Sequence, residues 1–430
     1  MDILKLNNNF EKRNYKESKK IFDENNIIFK NVKNKTKTKC CPFCRSKNFH
    51  NHNNYKISLK NSVFYNKIEY LNINYHRYKC KKCHKTFLEN IENRYKNTKI
   101  TKNLANQIIE DFKTHQIMSY CAEKFKISNV LVKEIIKEFL RKENSKNVEN
   151  DVKTLSIDEK NLFGKREFYT FFRDYDTEKI LYIEKGTKSD IIKNFAEFLG
   201  EKSKKIEFVS IDKSLSFISG VENHLPNSKI VLDHFHIIFN LISKYIRNSK
   251  KNVRNRLKGQ VKKYINLKKT NPENKDFSLK ISEYNKKIKF FDENNYLICK
   301  NKYKLNEKEK ENLEILLNLD EELREIYEIR SKITDLMRSN NYNFVKNSYI
   351  EMFEKFKNSP HRSVKMFCKN NMKYVEYLAN HAIYNISNAS MESLNRNIKV
   401  MYNRGRGYRD KEFFFNLIKY FTVPKRCKIG

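Results

Sequence analysis

The stretch that decides the fold runs from LSIDE at 155–159 to VLDHFH at 231–236. LSID (155–158) reads as a short apolar strand ending in an acid. EFYTFFRD (167–174) and KILYIEKG (179–186) follow as two more strands, joined at a polar Asp174-Tyr175-Asp176 turn. SDIIKNFAEFLG (189–200) has helical spacing and ends on Gly200, and IEFVSID (206–212) is another strand ending in an acid. KSLSFISGVENHLP (213–226) is a second helix, and KIVLDHFHI (229–237) is a fifth strand running into a helix. Short apolar runs bounded by turn residues predict buried strands, while a 3.6-residue period predicts helices. Three strands, helix, strand, helix, strand is the order of an α/β sheet flanked by helices.

The acids give that sheet a chemistry. Asp158 and Asp212 each close an apolar strand, and adjacent strands bring them to one end of the sheet, where α/β sites lie. A lone strand-end Asp serves as a turn or helix cap. Two side by side repel unless divalent metal neutralises them. Two Mg²⁺ ions held this way activate a water or a 3′-OH and stabilise the leaving oxygen in phosphoryl transfer. Asp233 and His236, the D-x-x-H of VLDHFH, fit a supporting role, and Asp233 equally fits the N-cap of the next helix.

Downstream, residues 240 to about 380 read as helical and highly charged, with a loop at Thr270-Asn271-Pro272 and no strand pattern. NISNASMESLNRNIKVMYNRGRGYRD (385–410) then returns to helix and a Gly/Arg loop, before a last helix. Glu392, Asn395 and Lys399 recur at i, i+3, i+7 and share one face. Such a stripe is usually solvated surface. Its sequel, Arg404, Arg406, Tyr408 and Arg409 around two glycines, suits phosphate contact.

Upstream, residues 1 to about 35 are Asn/Lys-rich with one apolar patch (Ile27, Ile28, Phe29) and read as a weakly ordered arm. Of nine cysteines, four form two C-x-x-C pairs, Cys41/Cys44 and Cys80/Cys83. Tetrahedral Zn²⁺ takes four thiolates, and each knuckle supplies two from one tight turn. The residue after such a knuckle is often Gly; here it is Arg45 and His84. Cys40 can replace Cys41 in the register, and His50, His52, His76 and His84 are alternative ligands or solvated side chains. The intervening residues alternate in β fashion. From 100 to 141 three helical patterns follow, with Ser128 as N-cap of the third, a helix-turn-helix candidate. Its recognition helix presents Asn129, Lys133 and Lys137 to the major groove. Residues 141–154 carry charge without apolar period and read as a linker.

Lys plus Arg number 89 against 51 Asp plus Glu, a formal net charge of +38 spread over all 430 residues, which favours a long polyanion as partner. No segment approaches 18 uncharged apolar residues, so no membrane span is expected, and the first residues are too polar for a signal peptide. A reducing compartment favours metal over disulfide at the cysteines.

The joint order of CPFC…YKCKKC, a helix-turn-helix, LSIDE, FVSID, VLDHFH and ESLNRNIK with its trailing R-x-x-x-Y-R resembles the bacterial insertion-sequence transposases of the ISL-three type, over roughly residues 38–421. The resemblance implies an RNase H-like catalytic core interrupted by an all-α insertion. It places the metal-binding catalytic triad on Asp158, Asp212 and Glu392, served by Mg²⁺ or Mn²⁺, with Asp233 and His236 in support. It implies double-stranded DNA as partner (the element's terminal repeats and a target), with Asn395, Lys399, Arg404, Arg406 and Arg409 among the contacts, and a homodimer or larger assembly in the cytoplasm at the nucleoid. The expected division is an arm (1–37), a zinc ribbon (38–97), a helix-turn-helix domain (98–145), a first core part (150–240), a helical insertion (241–380) and a Glu-bearing end (381–430). The competing reading is a catalytically inactive transposase acting as a DNA-binding regulator; a third is an RNase H-like nuclease acting on RNA or hybrids.

Overall fold

The computed structural model describes residues 18–23, 27–34, 38–64, 67–145, 151–164, 166–384, 389–405 and 408–422. The chain divides into two compact units, Met1–Ser145 and Lys146–Gly430. Among the described residues no helix is long and apolar enough to cross a membrane.

Among the described residues the first unit is a sheet carrying three helices. Its strands are β1 (Ser18–Asp23), β2 (Ile27–Lys33), β3 (Phe49–Phe64), β4 (Lys67–Cys80) and β5 (Thr86–Leu88), in the order β1-β2-β4-β3 with β5 on β4. β3 and β4 form a long antiparallel hairpin, as the alternating pattern predicts. The expected arm is corrected in part. The apolar patch at Ile27–Phe29 opens a strand that pairs in parallel with β4 from Ile27↔Ile68 to Lys33↔Asn74. Val32 is buried with Leu59, Leu71, Ile73 and Ile91, so apolar burial against the hairpin orders what composition alone marks as polar.

Helices α1 (Lys102–His115), α2 (Met118–Phe125) and α3 (Asn129–Ser145) follow. Thr101 caps α1 by accepting from Leu104 N, and Ser128 Oγ accepts from Leu131 N at 3.2 Å, as its capping role predicts. The residues drawn as separate ribbon and helix-turn-helix are bonded to one another. Lys60 Nζ, on β3, donates to the carbonyls of Phe125 (3.1 Å) and Lys126 (2.8 Å), satisfying the C-terminal end of α2. Thr101 Oγ1 donates to Asn61 Oδ1 at 2.9 Å. The expected linker is shorter than composition suggests, since α3 persists to Ser145 and the next strand starts at Thr154.

The second unit holds β6 (Thr154–Asn161), β7 (Phe168–Asp174), β8 (Ile180–Lys185), α4 (Asp190–Leu199), β9 (Phe208–Ile211), α5 (Leu215–His224), β10 (Lys229–Leu232) and α6 (His234–Asn240). This is the element order read from the sequence. The sheet order is β10-β9-β6-β7-β8, with β6, β9 and β10 parallel and β7 and β8 antiparallel. One correction concerns β6, which runs past Asp158 to Asn161 because β7 keeps pairing with it there. Helix α4 covers the sheet, its Phe195 ring stacked 4.2 Å from that of Phe172. A π-helical turn, Leu241–Ile246, leads into α7 (Arg247–Thr270) and α8 (Lys275–Asn294). Then come α9 (Glu307–Leu317), α10 (Glu321–Leu336), α11 (Tyr342–Phe356), α12 (Arg362–Met372) and α13 (Val375–Ala379). Their apolar faces join the sheet in one core that includes Ile211, Leu241, Ile333, Phe353 and Phe367. The chain returns through α14 (Ala389–Arg404) and α15 (Lys411–Phe421). Between these helices a Cβ at Gly405 would meet the Tyr408 ring at 2.5 Å, so the glycine lets Tyr408 lie on the backbone and stack on Phe414, centroids 4.5 Å apart.

Candidate active site and metal centre

Strand register sets the first constellation. Leu155 pairs with Val209 and Ser156 with Ser210, so two residues on, Asp158 and Asp212 stand at the same level of neighbouring parallel strands. Leu232 pairs with Ile211, which puts Asp233 level with Asp212, and Asp233 N donates to Ile211 O at 3.1 Å. Three aspartates thus cross the sheet in one row. Side chains at one level of parallel strands share a face, so the acids converge.

Asp212 sits in the middle. Burial, then the charges of Asp158, Asp233 and Glu159, push its carboxyl from the ordinary 3.8 up to about 8. His236 stands one helical turn after Asp233. Its Nε2 lies 3.1 Å from Asp212 Oδ1 and 3.7 Å from Asp233 Oδ2. The ligand atoms of Asp212, Asp233 and His236 all lie within 4.8 Å of one another, a set able to hold a metal ion. The supporting pair read from VLDHFH is therefore drawn into the same place as Asp212. Carboxylate oxygens with one imidazole nitrogen suit a hard or borderline divalent cation, and a buried carboxyl crowded by other acids is stabilised by one.

Asp158 is held separately. Its Oδ1 accepts from Glu159 N at 2.7 Å, and its Oδ2 accepts from Asn395 Nδ2 at 2.7 Å. Asn395, expected among the DNA contacts, donates to the acid row. Lys160 Nζ donates to the Asn395 carbonyl, tying β6 to α14 a second time. Burial lowers the Lys160 ammonium to about 8, with Asp158 opposing and Lys399 adding to the shift, so Lys399 also lies on this side of α14. The i, i+3, i+7 stripe is the sequence signal for this contact, although it does not name Asp158 as the partner of Asn395. Glu392 belongs to α14, but its side chain lies outside the described residues, as does Arg406. Arg404 and Arg409 are exposed at the end of α14 and in the loop after it. Asn129 is exposed at the start of α3, and Lys133 and Lys137 are half-buried on that helix.

Removing the Asn395 amide leaves Asp158 Oδ2 without its positioning donor. Asn395→Ala is expected to lower metal-dependent activity about 10–100-fold, the usual effect of deleting a group that orients a metal ligand. The check is the Mg²⁺ concentration dependence of activity: a mutant curve superposing on the wild type would remove Asn395 from the site.

The second constellation is the cysteine quartet. Cys41, Cys44, Cys80 and Cys83 bring their sulfurs within 4.8 Å of one another, with Cys41–Cys83 at 3.7 Å and Cys44–Cys80 at 3.5 Å. Four thiols converging this way fit a tetrahedral soft-metal site. Cys41 is the buried member of its pair and Cys40 lies outside the group, which decides the register the sequence left open. None of the histidines offered as alternatives joins it. His76 Nδ1, for example, is bonded to Asn54 Oδ1 at 2.7 Å. The knuckles close by Arg45 N donating to Cys41 O (2.9 Å) and His84 N to Cys80 O (3.1 Å). Arg45 and His84 take φ of 58° and 59°, the left-handed region that explains why glycine is expected there.

A family model described as Transposase, that of the ISL3 transposases, matches residues 155–418. The chain belongs to the ISL3 transposase family. The match begins at the strand bearing Asp158 and ends within α15, so it takes in the acid row and the helices between. This transposase-family chain is also 22% identical over 269 residues to the transposase for insertion sequence element IS1001 of Bordetella parapertussis, covering 62% of this chain and 60% of that protein. It therefore spans about 60% of the length of the curated relative it matches.

Proposed function

We propose that this chain is an active DNA transposase that binds the terminal inverted repeats of its own insertion sequence, cuts the DNA ends with divalent metal and joins them to a target. The observation that carries this reading is the row Asp158, Asp212, Asp233 across three parallel strands, with the Asp212 carboxyl held up to about 8 by burial and its acidic neighbours. Asp158, Asp212 and Glu392 are the metal-binding acids. Asp233 and His236 support the site, His236 by its contact with Asp212, and Asn395 orients Asp158. Bound Mg²⁺ or Mn²⁺ supplies the positive charge that activates a water or 3′-OH and stabilises the leaving oxygen. The strand order β10-β9-β6-β7-β8 supports an RNase H-like core, with the helices from α7 to α13 as an insertion before the Glu392 helix.

In this reading the cysteine quartet holds structural Zn²⁺, and the hairpin and helix-turn-helix recognise the element's ends through Asn129, Lys133 and Lys137. Lys399, Arg404, Arg406 and Arg409 contact phosphates. Two ends must be brought together, which calls for a homodimer or larger assembly on double-stranded DNA.

The test is incubation of the full chain with duplex DNA carrying the two ends that flank its own gene, with Mg²⁺, with Mn²⁺ or with a chelator. Metal-dependent nicking at the ends is the expected result. Tight binding at the ends with no cleavage under either metal would establish the regulator instead.

A further inference from the structure

Beside the acid row the fold gathers three lysines. Lys213 directly follows Asp212, so their Cα atoms are about 3.8 Å apart. Its Nζ donates to Asn370 O at 2.8 Å and to Asn371 Oδ1 at 2.7 Å, both on α12. The same ammonium lies 4.6 Å from the centroid of the Tyr374 ring, and Lys373 Nζ lies 5.0 Å from that ring. Lys244 stands exposed on the π-helical turn Leu241–Ile246, its Nζ 5.4 Å from the Tyr245 ring. The Tyr245 hydroxyl accepts from Asn370 Nδ2 at 3.0 Å, which ties this turn to α12 as well. Three elements thus converge: the loop after β9, the π-helical turn and the corner between α12 and α13.

Among the described residues none of the three lysines is ion-paired with a carboxylate, although many other lysines of the unit are, as Lys300 is with Glu309 at 2.6 Å. Lys213 and Lys373 flank the one Tyr374 ring, and Lys244 lies over the ring of Tyr245, whose hydroxyl is bonded to Asn370, the residue whose carbonyl accepts from Lys213. Gathering like charges costs free energy that a bound anion recovers. Single π-helical turns are also a common feature of functional sites. Lysine acts on phosphate as a strongly hydrated point charge that needs no bidentate geometry, and the chain's net charge of +38 selects a polyanion over a small anion.

We propose that Lys213, Lys244 and Lys373 form a phosphate subsite that grips the backbone of the DNA strand next to the linkage cut at the acid row. This rests on the DNA-cutting reading above. Lys213 is anchored into the fold by its two acceptors and sets the position. Lys244 and Lys373 are exposed and close on the phosphate.

The test measures DNA binding by the full chain in chelator, by fluorescence anisotropy across a range of salt concentrations, on a duplex carrying one end of the element. The variants are Lys244→Gln with Lys373→Gln, and as control Lys308→Gln with Lys310→Gln, two exposed lysines of α9 that remove the same charge. Each lost phosphate contact lowers the slope of log Kd against log salt by about 0.9. The Lys244/Lys373 variant is expected to lose about 0.9 from that slope, one phosphate contact, and the control nothing. A slope equal to wild type, or an equal loss in the control, overturns the subsite. Wild-type binding without cleavage when Mg²⁺ is added defeats the cutting reading while leaving the slope comparison intact. No binding by the wild type defeats both.

Discussion

Asp212→Asn is expected to abolish DNA cleavage, by about 10³-fold or more, while leaving the protein at least as stable as wild type when no divalent cation is present. Asp212 is crowded by Asp158, Asp233 and Glu159 and largely buried, so its ionised form is costly in the free fold. The folded carboxyl titrates at about 8 against an ordinary 3.8. Its folded value is raised, so the neutral form is favoured and ionisation works against folding. Below the lower value there is no effect; the cost grows as pH rises between the two and is fully present above the upper one. In chelator, wild-type stability should therefore fall across that window more than that of the Asn variant, which carries no titrating group there. Divalent cation should reverse the order. A ligand at 100 times its Kd stabilises the state it binds by about 2.7 kcal/mol. Wild type should melt higher on adding Mg²⁺ or Mn²⁺, and the variant should shift little. Thermal melting with and without chelator, beside the cleavage assay, decides it. A variant that cuts at the wild-type rate, or melts far below it in chelator, would show that Asp212 is a structural residue.

The second large effect is at the cysteine quartet. Cys80→Ser is expected to release one equivalent of bound zinc and to unfold the end of the hairpin where β4 and β5 meet the knuckles. The core there is small: Cys41, Cys80 and Phe87 are its buried members, with Phe49 and Tyr78 packed at the edge. Metal binding to structural zinc sites supplies about 10–16 kcal/mol in isolated fingers, far more than so few apolar side chains can supply. The rest of the hairpin has its own core around Leu59 and Ile73, so unfolding should stop short of it. Metal content by absorption spectroscopy should fall to zero, protease cleavage should appear within residues 39–90, and binding to the element's ends should be lost. A variant that holds no zinc yet resists protease like wild type would show that the four thiols need no metal.

Which features were legible follows from the range of the interactions that make them. Apolar runs, helical periods, the Ser128 cap and the C-x-x-C spacing depend on neighbours a few residues apart, and these hold in the structure. The unit Lys146–Gly430 follows the strand and helix order read from residues 155–237. The order of acids along the chain was legible for the same reason, since each ends or sits in a recognisable apolar strand.

Long-range pairing settled the rest. Ile27–Lys33 is a short apolar patch in a stretch that looks polar and loose, and it becomes a strand by pairing with β4 and β1. Register between β6, β9 and β10 put Asp233 level with Asp212, which no spacing along the chain reveals. Asn395 lies 237 residues from Asp158 in sequence, so a stripe that reads as solvated surface proves to be the donor holding that carboxylate. Lys213, Lys244 and Lys373 look like three ordinary surface charges until the core packing of α12 against the π-helical turn brings them together. Sequence by itself determined the elements and the kinds of chemistry present, because local propensity and side-chain type are written residue by residue. Which of those groups meet was decided by tertiary structure, because burial of apolar faces and strand register act between residues that the chain itself keeps far apart.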